Sequence, residues 1–173
     1  MAIPVSETLP IFLTIGQLSA QWSLMEFSLN ALISVLYRDF NGNTLEPLLP
    51  LEFKKRSQFL RRCFNELPAL GAIRDNAIST LNRLNEIAAF RDDVVHGYIS
   101  AYDPNKFELT FISLNRDKSK TSFMMHGRKV TAGKLLELGA EANLIGHDLG
   151  QLANGLLDVS AGDKDLHDVL RKL

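Results

Sequence analysis

Eight apolar residues, Ile11, Ile15, Leu18, Trp22, Met25, Leu29, Leu32 and Leu36, step along the chain by four and three in alternation. That spacing returns every side chain to one stripe of an α-helix, whereas a half-buried strand alternates every second residue. It predicts a helix from about Ile11 to Tyr37, roughly 40 Å long. Leu24, Phe27 and Ile33 widen the stripe. A helix apolar over so broad an arc must be covered on more than one side, which predicts a bundle, with a second subunit as one way of completing it.

The same rhythm recurs further along. Ala77, Leu81, Leu84 and Ala88 form a seam that meets Arg91 and then Val95, so that an ionisable residue takes a seam position. Leu135, Leu138, Ala142, Ile145, Leu149, Leu152, Leu156 and Val159 form another, with Thr131 as N-cap and Val130 and Leu135 placed as a hydrophobic staple. Between the first two seams, Asn41-Gly42-Asn43 stops the first helix, and Pro47 to Pro50 make a linker. A second helix follows from about Leu51 to Asn65, its first turn tolerating Pro50. Pro68 and Gly71 mark the next break. Gly97, directly after His96, is expected to end the third helix.

From Tyr98 to His126 the pattern changes. YISAY, FELTFISL and TSFMMH are short β-prone runs separated by Asp103-Pro104-Asn105 and by the charged turn NRDKSK, which predicts a small antiparallel meander. Gly139, Gly146 and Gly150 fall inside the fourth long helix. Each costs about 1 kcal/mol relative to alanine, so either close helix packing offsets them or the helix is locally soft. A short C-terminal helix from Asp163 to Lys172 is expected to dock through Leu166, Val169 and Leu170. The expected fold class is thus mainly α: about four long helices with a small antiparallel meander inserted after the third.

At 173 residues, 46% of them hydrophobic, the chain is sized for one domain over 1–173. Its formal charge of −1 gives no global field for nucleic acid, so any anion site must come from local clustering of basic residues. The single cysteine, Cys63, leaves no disulfide framework and no cysteine zinc site, which suits a reducing cytoplasmic setting. The stretch MAIPVSETLPIFL lacks a basic n-region and a small-residue cleavage site, so no signal peptide is expected. Gln17, Gln21 and Glu26 interrupt the most hydrophobic region, and no membrane span is expected.

At the end of the third helix stands Arg91-Asp92-Asp93-Val94-Val95-His96-Gly97-Tyr98. An arginine and a histidine with four residues between them, on a long helix near its end, resemble the defining motif of the HEPN superfamily. In that family a polar residue commonly follows the arginine, and a subgroup carries a tyrosine two positions beyond the histidine. Asp92 and Tyr98 match both refinements. The resemblance covers the helical parts of the chain; the strands of residues 98–126 are an elaboration on it.

It implies an HEPN-like helical bundle acting as a homodimer on RNA, without a metal or other cofactor, as a toxin or defence effector. The 2′-hydroxyl of the RNA would attack the neighbouring phosphate, with His96 as general acid or base and Arg91 stabilising the charge that develops. Tyr98 matches the adenylylation target of toxins paired with a nucleotidyltransferase antitoxin. Members that bind or scaffold without cutting make a non-catalytic nucleotide- or RNA-binding module the alternative.

Read as chemistry, Arg91 supplies a planar cation suited to phosphate oxygens. Five residues of helix place it about 140° from His96, so the two are not expected to share a face; the resemblance implies a dimer that brings two copies of the motif to a shared cleft. Asp92 and His96 are the i,i+4 neighbours, a carboxylate beside an imidazole. As structural alternatives, Arg91 pairs with Glu26 or Asp92 as a buried cation, and His96 caps the helix C-terminus. Glu26, beside the first seam, either reaches the Arg91–His96 pair or faces solvent. Lys54, Lys55, Arg56, Arg61 and Arg62 form either a phosphate-tracking ridge interleaved with aromatics or a solvated face. His147-Asp148 is too isolated for a metal site, and none is expected.

Overall fold

The computed structural model describes residues 5–116 and 122–162. It contains four long helices, α1 (Val5–Asp39), α2 (Phe53–Glu66), α3 (Arg74–His96) and α4 (Ala132–Ser160), and between the last two a three-stranded sheet, β1 (Tyr98–Asp103), β2 (Glu108–Arg116) and β3 (Phe123–Thr131). The mainly-α class with a meander after the third helix is therefore the observed architecture. Among the described residues no helix is long and apolar enough to cross a membrane. The expected helix at 163–172 lies outside the described residues, as do residues 117–120 of the charged turn and residue 121 after it.

The chain gathers into two compact units. The second unit, Ser23–Asn85 with Asn143–Leu173, is all-helical as far as it is described. Its core is the predicted seam made real: Met25, Leu29, Leu32 and Leu36 of α1, Leu60 and Phe64 of α2, Ala77, Leu81 and Leu84 of α3, and Ile145, Leu149 and Leu156 of α4 are fully buried. A Cβ on Gly146 would lie 3.0 Å from the Met25 Cα, so this glycine lets α4 approach α1 closely, whereas one on Gly150 would meet Ser28 Oγ at an ordinary 3.5 Å. Close packing accounts for Gly146. Leu24 and Phe27 stay exposed on α1.

The first unit is Met1–Trp22 with Glu86–Ala142. Here Ile11, Leu18 and Trp22 of α1, Ile87 and Val94 of α3, and Leu135, Leu138 and Ala142 of α4 are buried together with Leu109, Phe111 and Val130 of the sheet. The strands pair in the order β1-β2-β3, all antiparallel. Registers such as Phe111 with Arg128 and Ile99, and Ser113 with His126, put these residues on the face that carries the buried Leu109 and Val130. The opposite face carries Tyr98, Leu114, Phe123 and Met125, all exposed. The Asp103-Pro104-Asn105 turn closes as expected, with the Asn105 amide donating to Asp103 Oδ1 at 3.0 Å.

Three boundaries differ from expectation. α1 starts at Val5 rather than Ile11 and so carries Pro10 inside it. Pro10 cannot donate to the carbonyl four residues back; Thr14 Oγ1 donates to the Pro10 carbonyl at 2.9 Å. α2 starts at Phe53, after a Glu52 cap position whose carbonyl accepts from the Arg56 amide, so Pro50 precedes the helix instead of lying in its first turn. β3 runs to Thr131 instead of His126, because its ladder continues until Val130 is buried opposite Leu109. Thr131 then serves α4 as the expected N-cap, its Oγ1 accepting from the Lys134 amide at 3.2 Å.

Candidate functional site at the end of α3

The last turn of α3 is fixed from two directions. At Gly97 a Cβ would collide with the Asp93 carbonyl oxygen and lie 3.4 Å from the Phe111 Cβ, so only glycine lets the chain leave the helix and enter β1 here. Asp93 ties the turn to the sheet: Oδ1 accepts from Ser113 Oγ at 2.9 Å, and Oδ2 meets Arg128 Nε at 2.7 Å. The Arg128 guanidinium lies over the Phe90 ring at 4.2 Å. Sequence reading singled out Asp92 and passed over Asp93. The polar partners Ser113 and Arg128, on two different strands, carry no local signal that would have found it.

Arg91 occupies the seam position that the periodicity assigned to it and therefore points inward, against Trp22 in the seam of α1. Its guanidinium carbon lies 5.3 Å from the centre of the Trp22 ring, and the ring itself is only 4% exposed. Nη1 donates to Asp92 Oδ1 at 3.0 Å and contacts His96 Nε2 at 3.2 Å. Arg91 and His96 thus meet within one chain, contrary to the expectation from their 140° separation. The wheel compares Cβ directions, whereas the arginine stem spans more than a helical turn and the helix ends at His96, leaving the imidazole free to turn back.

The neighbour of the imidazole is also different from the one expected. Asp92, 67% exposed, gives its Oδ1 to Arg91, and the group resting on His96 Nε2 is the guanidinium. Guanidinium has donors only, so a hydrogen bond between the two requires Nε2 to accept and Nδ1 to carry the ring proton. Two of the three anchors on Arg91 are therefore soft. An exposed ion pair is worth about 0–1 kcal/mol, while a cation on an indole face gains about 2 kcal/mol when desolvated. Arg91 Nε is buried without a partner, and among the described residues none is found for Nη2. The side chain remains 23% exposed, so an oxyanion can approach.

The remaining site residues lie elsewhere or play other parts. Glu26 Oε1 accepts from Arg56 Nη2 at 2.9 Å, and its side chain is 27% exposed. Arg56 Nη1 also donates to Asn30 Oδ1. Of the other α2 cations, Lys55 pairs with Glu52, and Arg62 with Glu46 and Glu66, each held more firmly in its charged form by its hydrogen-bonded glutamate. Arg61 donates to Asn82, and Lys54 is exposed. Three of the five α2 cations are therefore balanced by carboxylates, of which Glu66 alone lies within α2. Tyr98 is 73% exposed, so it is not a packing residue of β1.

Two groups with reactive potential are committed structurally. Burial pushes the Cys63 thiol up to about 12, so it stays protonated and inert. Asp148 pairs with Arg83 at 2.8 Å, and His147 Nε2 meets Gln151 Nε2, so the His147-Asp148 side chains serve separate contacts. Among the described residues no group of three or more metal-ligating side chains comes together.

No family model, curated protein or solved structure matches this chain. The resemblance to HEPN proteins rests on the residues of the α3 motif alone. Trp22 is the neighbour of Arg91 that sequence reading missed. Its signal was present: an arginine on an apolar seam requires a π face or an acid on the facing seam, and Trp22 is the aromatic residue of that seam.

Proposed function

We propose that the chain is a metal-independent endoribonuclease of HEPN type, cytoplasmic and homodimeric, acting as a toxin or defence effector. The observation that carries this reading is the Arg91 Nη1 to His96 Nε2 contact of 3.2 Å at a partly open surface, which puts a phosphate-binding cation and a proton-transfer group at one spot. An RNA phosphate drawing Arg91 onto its oxygens frees Nε2 to take the 2′-hydroxyl proton. The 2′ oxygen then bonds to phosphorus while the bond to the 5′ oxygen breaks. Arg91 stabilises the charge on the phosphorane-like transition state, and the leaving oxygen is protonated by water or by the imidazole of a second copy. The products are a 2′,3′-cyclic phosphate and a 5′-hydroxyl.

The exposed Leu24 and Phe27 of α1 support a second copy as partner, and exposed Tyr98 supports access by a nucleotidyltransferase antitoxin. Lys54 and Arg61, the α2 cations with no carboxylate partner among the described residues, are the ones suited to an RNA backbone. A second reading draws on the same contact: with Nε2 occupied by Arg91, the pair binds a nucleotide or RNA without cutting it, or shapes a dimeric scaffold. Labelled single-stranded RNA and tRNA incubated with purified protein in EDTA decide between them. Cleavage by the wild type alone, absent from Arg91→Ala and His96→Ala, supports the ribonuclease. A folded wild type that leaves both RNAs intact, or equal cleavage by all three proteins, selects the binding module.

A further inference from the structure

Resting on the reading of Arg91 and His96 as the working pair, we infer that Trp22 is its positioning residue: the indole face holds the Arg91 guanidinium so that Nη1 donates to His96 Nε2 and fixes the imidazole in its Nδ1–H tautomer. Four observations meet on this point. Trp22 is buried in the α1 seam, so its ring is an immobile surface. The Arg91 guanidinium lies over that ring at 5.3 Å. Asp92, the other charged anchor, is largely exposed, and solvent screening leaves it too weak to fix a long side chain. Arg91 Nε is buried without a hydrogen-bond partner, so no bond at that atom sets the position of the guanidinium.

The tautomer matters because a neutral imidazole in water prefers its proton on Nε2. With Arg91 held on the indole, the lone pair is kept at Nε2, the nitrogen beside the phosphate-binding cation, so the proton acceptor and the anion site coincide. Other charged and titratable groups do not offer the same control. On α3, Asp92 is engaged by Arg91, and Asp93 is engaged by Ser113 of β2 and Arg128 of β3. Tyr98 starts β1, and His126 lies on β3 opposite Ser113. From Leu9 to Trp22, α1 carries no charged side chain at all.

The test is a long-range proton–nitrogen NMR correlation on 15N-histidine protein at alkaline pH, with the His96 signal assigned through His96→Gln. Expected are an Nδ1–H pattern in the wild type, reversion to Nε2–H in Arg91→Ala and in Trp22→Leu, and retention of Nδ1–H in Trp22→Phe, which keeps a π face. The double variant Trp22→Leu/Arg91→Ala should match Arg91→Ala alone. If Trp22→Leu does not fold, Trp22→Met carries the same comparison, since it fills space without a ring. A folded Trp22→Leu or Trp22→Met that keeps Nδ1–H, or a wild type already in Nε2–H, overturns the inference. RNA cleavage is scored separately: its absence beside the expected tautomers removes the ribonuclease reading alone, and its presence beside unchanged tautomers removes the role of Trp22 alone.

Discussion

Arg56 and Arg91 are alike in several respects. Each is mostly buried, 13% and 23% exposed, each lies over an aromatic ring, Phe53 or Trp22, and each has an Nε without a partner. They differ in what faces the outer nitrogens. Arg56 gives one to the half-buried Glu26 and the other to Asn30, so its charge is cancelled by a fixed carboxylate. Arg91 shares Nη1 between an exposed aspartate and the His96 imidazole. A cation matched by a buried acid holds helices together, whereas one matched by a titratable ring and open to solvent is available to an incoming anion. Under the proposed ribonuclease reading, the partners and not the degree of burial separate the structural arginine from the working one.

The largest effect that could break this contrast is on cleavage. His96→Ala is expected to lower the rate on labelled RNA by ~10²–10⁴-fold, and Arg91→Ala by ~10²–10³-fold, with melting temperatures little changed. Arg56→Ala should instead lower the melting temperature and leave cleavage per folded molecule within a few-fold. Stability in urea sharpens the same point. Glu26→Ala strands the Arg56 charge and should cost about 1–3 kcal/mol, less than a fully buried pair because both groups keep some solvent, while Asp92→Ala should cost about 0–1 kcal/mol. Equal losses would erase the distinction between the two arginines.

Titration separates the regions further. Cys63 lies on α2, seven residues beyond Arg56. Above about pH 9 the unfolded chain releases the thiol proton, while the folded chain keeps it up to about 12. The folded state then binds more protons, so stability falls as pH rises through that window and is full below it. Urea midpoints measured across the window should decline less steeply in Cys63→Ala. Smallest of all, Lys54→Ala should change stability by no more than about 0.5 kcal/mol and the salt slope of RNA binding by about 1.

Much of the fold was legible because it is periodic. The three–four spacing located α1, α3 and α4, Gly97 stopped α3, and Thr131 capped α4, all from local residue chemistry. What escaped were contacts between elements distant in sequence. Nothing in FKKRSQFLRRCF announces that Arg56 will find Glu26 on another helix while Lys54 finds solvent. The meeting of Arg91 with His96 was hidden for a different reason, since angular arithmetic treats side chains as spokes of one length. The site motif was readable, but the indole beneath it required knowing that two seams face each other.

Cys63 also decides how this protein can be handled at the bench. It is the only thiol of the chain, and the fold keeps it out of reach of maleimides and spin-label reagents. A cysteine placed at an exposed position such as Tyr98 or Asp92 would be the single modifiable sulfur, with the native residue left intact. A fluorophore or nitroxide at either position would report on the surroundings of the α3 terminus with no competing background label.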